Sequence, residues 1–284
     1  MQTLSVEFAN ADIPWVALKG LALAPSLYQD IAHRPMRDID ILVSTDRLQA
    51  AAQLLRSLGF NLPEQQPSKY MRGTHQLPNA EIKINGFTIS VEIHHDAIGQ
   101  DAHGSLRFEP VKEQLEAVQC QDLQLPVLPA QLMLHQLCRH LQALHPGGRL
   151  KLVNVVDVMA FAEKNCQTLD WHAIHRSHAH IVNTLRCLHL IRPLSAELQT
   201  QLGDVKDVSV NGVGDIMQPL STALSGQNSW RQRFALAFLP SDWWLHLYYG
   251  VHPERSLLYT KLCKHPLQVA QWLWQRLFSR LLGG

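Results

Sequence analysis

Two aspartates separated by one isoleucine, Asp38-Ile39-Asp40, lead into the apolar run Ile41-Leu42-Val43. On a strand, successive side chains alternate faces, so Asp38 and Asp40 project together while Ile39 and Ile41 turn toward a core. Farther along, Phe87, Ile89, Val91 and Ile93 form one apolar face and leave Ser90, Glu92 and His94 on the other. If the two strands are neighbours, Asp38, Asp40 and Glu92 converge. Like charges that close raise one another's pKa, and a divalent cation removes the penalty. An all-oxygen donor set suits Mg²⁺ or Mn²⁺ working beside substrate phosphates. A pair of such ions can activate an attacking oxygen and stabilise a leaving pyrophosphate.

A second element lies upstream. Leu18-Lys19-Gly20 falls where an apolar run gives way to a helical pattern, so backbone N–H groups at a helix N-terminus can face a phosphate, with Lys19 adding a mobile positive charge. Each feature alone has a plainer explanation. An isolated Asp-x-Asp is often a solvated strand end, Lys19-Gly20 a turn glycine beside a surface lysine, and Glu92 a polar residue on a hairpin. The order of turn and helix, paired aspartates, then acidic strand is what sets the group apart.

These residues need elements to hold them. The run Ile13 to Lys19 reads as a strand and Leu21 to Asp30 as a short helix. Ile39 to Val43 is the next strand. Ser44 and Thr45 are candidate caps for an amphipathic helix over Asp46 to Leu58, which Gly59 stops. Asn85-Gly86 between alternating apolar segments predicts a type I′ β-hairpin. A last strand is expected over Leu123 to Leu128. From Ala130 onward the apolar period becomes helical, with candidate helices in LMLHQLCRHLQAL, LKLVNVVDVMAFAEKN, DWHAIHRSHAHIVNTLRCLHLI and LQVAQWLWQRLFSRLL. The expected class is α+β: a small mixed-sheet domain over residues 1–128 and an α-helical domain over 129–284.

Bulk properties narrow the function. The chain has 284 residues and a formal net charge of +1, without the basic excess that tracking a long nucleic acid usually requires. Five scattered cysteines with no close pair argue against a disulfide framework or a thiolate zinc site and suit a reducing cytosol. The first residues show no signal-peptide pattern, and no apolar run is long enough to span a bilayer, so the chain reads as cytoplasmic and without a transmembrane segment.

The stretch from Leu18 to Phe60 resembles the uncharacterised nucleotidyltransferase family of the polymerase-β-like superfamily. The resemblance rests on Leu18-Lys19-Gly20, Tyr28, Arg34-Pro35, Asp38 to Val43, Gly59-Phe60 and the later Val91-Glu92-Ile93-His94. His75, the segment ending at His140, Asp157 and Asp170-Trp171 extend it more weakly. Lys19-Gly20 stands where the wider superfamily shows Gly-Gly or Gly-Ser, and Glu92 where many members use Asp.

The resemblance implies attack of an acceptor hydroxyl on the α-phosphate of an NTP, with ATP the expected donor. It implies that Asp38, Asp40 and Glu92 hold Mg²⁺ or Mn²⁺, that Glu92 helps deprotonate the acceptor, and that Lys19, Gly20 and Arg34 position the triphosphate. The acceptor is left open as a small molecule, peptide or protein. A catalytically inactive binding or regulatory module and a phosphotransferase on the same scaffold are the alternatives.

Other residues divide between readings. His94 shares Glu92's face, so it is either a substrate or phosphate contact or a structural residue, whereas His95 points away. His172, His175, His178 and His180 lack metal-ligand spacing and read as structural or solvated. Asp157, inside an apolar helical run, needs a buried partner. The C-terminal segment interleaves Arg255, Lys261, Lys264, Arg276 and Arg280 with Tyr259, Trp272, Trp274 and Phe278. It reads as an amphipathic helix with a solvated cationic face, or as a surface for anionic partners.

Overall fold

A computed structural model of the chain describes residues 1–63, 75–98, 104–144, 151–189, 191–203 and 255–271, together with 245, 249, 251 and 274. Contacts divide these residues into two compact units that meet in sequence at Pro129 and Ala130.

The first unit is built on a mixed six-stranded sheet in the order β3-β4-β2-β1-β6-β5. Its strands are β1 (Trp15–Ala17), β2 (Asp38–Val43), β3 (Ala80–Ile84), β4 (Phe87–His94), β5 (Glu116–Cys120) and β6 (Leu123–Val127). Among the described residues three α-helices accompany them: α1 (Gln2–Asn10), α2 (Lys19–Leu27) and α3 (Leu48–Ser57). Strand β1 is buried throughout, as expected of a central strand covered on both faces. Val16, Ala17, Leu18, Leu42, Val43, Leu55 and Val91 lose all contact with solvent.

Local sequence explains most of these elements. Asn85 and Gly86 both take positive φ, 51° and 84°, the requirement of a type I′ turn. Helix α3 ends on Gly59 at φ 86°, where the N–H of Phe60 bonds Leu55 and that of Gly59 bonds Arg56. That pair of bonds is the Schellman stop, and it favours glycine.

Several expectations need correction. Ser44 makes no side-chain cap to the following turn. Its hydroxyl instead lies against the carboxylates of Asp46 and Glu109, so the helix is entered through a 3₁₀ turn, Thr45–Arg47. Helix α2 ends at Leu27 because Tyr28 is extended, with φ −112° and ψ 142°. Strand β5 and helix α1 were not anticipated. Strand β5 lies at the sheet's edge with a mostly exposed side-chain pattern, which leaves little apolar alternation to read.

The second unit contains α4 (Ala130–Leu144), α5 (Leu152–Lys164), α6 (Trp171–Ser177), α7 (Ala179–His189) and α8 (Ala196–Leu202). The expected single helix through residues 170–191 is broken at His178, which sits at φ −133° and ψ 45°. The break has a packing cause. Residues two apart on a helix point to nearly opposite sides, yet the rings of His178 and His180 both contact His135, at centroid distances of 4.8 and 4.7 Å. Breaking the helix lets both reach one ring. Residues 258–271 are helical around a wide turn at Thr260–Lys264. The remainder of the expected C-terminal helix, apart from Trp274, lies outside the described residues.

Candidate active site

Strands β2 and β4 are parallel neighbours, with Asp38 opposite Ser90, Asp40 opposite Glu92 and Leu42 opposite His94. Side chains at matched positions of adjacent strands share a face, so Asp38, Asp40, Glu92 and His94 stand on one side of the sheet. Ile41, Val91 and Ile93 are buried on the other. One ligand atom from each of Asp40, Glu92 and His94 lies within 4.8 Å of the others. Asp38 is half-buried at the start of β2 and falls outside that tight group.

Asp40 is the hub. Its Oδ1 accepts from Lys19 Nζ at 2.6 Å and pairs with His94 Nε2 at 2.9 Å. Burial opposes ionisation of Asp40, but the His94 hydrogen bond and the Lys19 ammonium outweigh it and hold the carboxyl well below the usual carboxylate range. His94 is fully buried, and burial pushes its pKa down despite Asp40. The neutral imidazole therefore donates Nε2–H to Asp40, and its Nδ1 has no hydrogen-bond partner among the described residues. His94 has no exposed surface, and its Nε2 faces Asp40. The ring of His75 stacks 5.5 Å away.

Glu92 differs. Burial, then the charges of Asp40 and Asp38, push its carboxyl upward, opposed by Lys19 and Asn79. Gln76 donates to Glu92 Oε2 at 3.1 Å and Asn79 to Oε1 at 3.0 Å. Two carboxylates opposite each other on the sheet thus have pKa values driven apart, a pattern common where acid–base roles are divided. Gln76 and Asn79 were missed in the sequence because nothing local ties them to Glu92. Gln76 reaches it through an isolated bridge to His94.

Lys19 and Gly20 open helix α2. Lys19 takes φ 46°, an uncommon conformation for a non-glycine residue, and its side chain is only 15% exposed as it reaches Asp40. Gly20 leaves room for a neighbouring side chain. A Cβ there would meet the Arg34 guanidinium, with Cζ at 2.9 Å, and would touch Met36 Cγ at 3.0 Å. Buried Arg34 therefore lies against the start of α2. In the helical unit, Asp157 on α5 is buried and His140 on α4 half-buried.

The family model described as uncharacterised nucleotidyltransferase matches residues 1–199, and the chain belongs to that family. No curated protein sequence matches the chain significantly. Among solved structures, the antibiotic-resistance factor ANT(2'')-Ia aligns at 9% identity and TM-score 0.42, over 67% of this chain and 93% of its own. The lincomycin-bound lincosamide antibiotic adenylyltransferase LnuA aligns at 17% identity and TM-score 0.36, over 56% of this chain and 92% of its own. An antigenic nucleotidyltransferase-like protein from Paracoccidioides brasiliensis aligns at 14% identity and TM-score 0.41, over 70% and 88%.

Proposed function

We propose that the protein transfers a nucleoside monophosphate from an NTP, ATP foremost, to a hydroxyl of a small molecule, peptide or protein. The observation that carries this reading is the parallel register setting Asp40 opposite Glu92, with Asp38 on the same face. The donor set fits a divalent ion: carboxylate oxygens of Asp40 and Glu92 converge within 4.8 Å beside the His94 imidazole, and amide donors hold both oxygens of Glu92. Asp38, Asp40 and Glu92 would hold Mg²⁺ or Mn²⁺, which when bound neutralises triphosphate charge and acts as a Lewis acid.

The chain's own groups then have separate tasks. The upward-shifted Glu92 takes the proton from the acceptor hydroxyl. The acceptor oxygen bonds to the α-phosphorus while the bond to the bridging oxygen breaks, and pyrophosphate leaves. His94 fixes the orientation of Asp40 through its Nε2–H. Lys19, the N–H groups at the start of α2 and Arg34 bind triphosphate oxygens, and Gly20 keeps room for Arg34. In this reading residues 1–128 supply the phosphate chemistry and residues 129–284 select the acceptor. The cysteines are all free, in keeping with a reducing cytoplasm.

The test is thermal unfolding with Mg²⁺ or Mn²⁺, alone and with ATP. Wild type should gain stability from the combination, and an Asp38→Asn, Asp40→Asn double variant should fold but lose the gain. A double variant that responds like wild type places the site elsewhere.

A further inference from the structure

The C-terminal helical stretch of the second unit takes no part in the site described above, and it is unlike any other described surface of the chain. Leu258, Tyr259, Leu262, Leu267 and Trp274 are each 61–69% exposed, whereas Leu257, Thr260 and His265 are buried. The helix therefore docks through one side and presents a row of large apolar side chains on the other. The wide turn at Thr260–Lys264 makes that row continuous. Each residue of such a turn advances less around the axis than in an α-helix, so five of them rotate the downstream residues back by roughly one residue position. In an uninterrupted α-helix, Leu267 would fall nearly opposite Leu258. With the wide turn, Leu267 and Trp274 come to within about a quarter-turn of Leu258 and Leu262.

The sequence from Arg255 onward carries charge of one sign, after Glu254. From Arg255 to the last residue the sequence contains Arg255, Lys261, Lys264, Arg276 and Arg280 and no Asp or Glu. Among the described residues, Arg255, Lys261 and Lys264 are exposed, and Lys264 is also held 5.1 Å over the ring of Tyr249.

We infer that this helix is a docking surface for an anionic lipid bilayer, lying in the plane of the headgroups with its leucines and aromatic residues dipped into the acyl boundary. An apolar face with Trp and Tyr, edged by Lys and Arg, matches the interfacial environment. The rings sit at headgroup depth, and the long basic side chains reach up to the lipid phosphates. Charge complementarity selects this occupant over a second copy of the chain, since two such helices face to face would bring like charges together. The contact is superficial, because no described helix is long and apolar enough to cross a membrane.

The full-length protein should be floated with vesicles of phosphatidylcholine alone and of phosphatidylcholine mixed with phosphatidylglycerol, at low and high salt. The mixed vesicles should bind at least about tenfold more protein at low salt, and the preference should shrink as salt screens the lysines. Leu262→Asp combined with Leu267→Asp, and separately Lys261→Glu combined with Lys264→Glu, should each reduce binding about tenfold or more. The Leu262→Asp, Leu267→Asp variant should keep the wild-type melting temperature, since both positions are exposed, and the lysine variant, which also loses the Lys264 contact to Tyr249, should remain folded. Equal binding to both vesicle types, or folded variants that bind as well as wild type, would overturn the inference. So would a wild-type dimer that Leu262→Asp with Leu267→Asp converts to monomer while neither binds vesicles; the face would then join two copies of the chain.

Discussion

Replacing Lys19 by Met removes an ammonium and keeps most of the aliphatic stem, so it isolates the charge that now faces Asp40. The pair is close, at 2.6 Å, and largely withdrawn from water, with side chains 15% and 4% exposed. Breaking a buried pair by removing one partner generally costs about 3–5 kcal/mol. One feature reduces that figure here. His94 still donates to Asp40, and a charge-assisted hydrogen bond retains roughly 1.5–3 kcal/mol. The net loss in metal-free protein should be about 2 kcal/mol, a fall in Tm on the order of 3–6 °C.

The sign with pH is set by Asp40, whose folded-state pKa is depressed. Its contribution is fully present above the ordinary aspartate pKa of about 4 and is lost as pH falls through the folded value. The gap between wild type and Lys19→Met should therefore hold from neutrality to about pH 4 and narrow below it. Mn²⁺ should stabilise the variant more than wild type, since the ion then meets an Asp40 with no competing ammonium. Thermal melts in chelator and in Mn²⁺ measure both effects. Equal melting temperatures in chelator, or equal gains from Mn²⁺, would refute the reasoning.

Two further substitutions probe neighbouring parts of the site. Asn79→Ala removes a hydrogen bond that favours ionised Glu92, so Glu92 should titrate higher still. Metal affinity followed from pH 5 to 8 should then be lost at higher pH in the variant than in wild type, and coincident profiles would remove Glu92 from the metal site. Gly20→Ala places a methyl against Arg34 and Met36. ATP affinity should fall about tenfold, roughly 1.4 kcal/mol, with little loss of fold; unchanged affinity would free Arg34 from any role in phosphate binding.

The legible parts of the site were those set by strand alternation and turn chemistry. Asp38-Ile39-Asp40 and Ser90-Glu92-His94 declare their faces because β side chains alternate, and Asn85-Gly86 declares its turn because two positive φ values select those residues. What the sequence conceals is long-range. That His94 is spent on Asp40, that Gln76 and Asn79 hold Glu92, and that Arg34 lies over Gly20 all depend on which segments the sheet brings together. The break at His178 has no glycine or proline to announce it, because its cause is the ring of His135 on another helix. Ser44 looked like a cap, and a tertiary contact to Glu109 competed for its hydroxyl.

The most direct measurement of the central claim is transfer of label from ATP, and from the other NTPs, to components of a host lysate, with Mg²⁺ or Mn²⁺ present. Label at the α-phosphate should appear on an acceptor and depend on the divalent ion. It should be absent with the Asp38→Asn, Asp40→Asn double variant, and label at the γ-phosphate should leave with pyrophosphate. Transfer of γ-label instead, or α-label transfer undiminished in the double variant, would contradict nucleotidyl transfer at Asp38, Asp40 and Glu92.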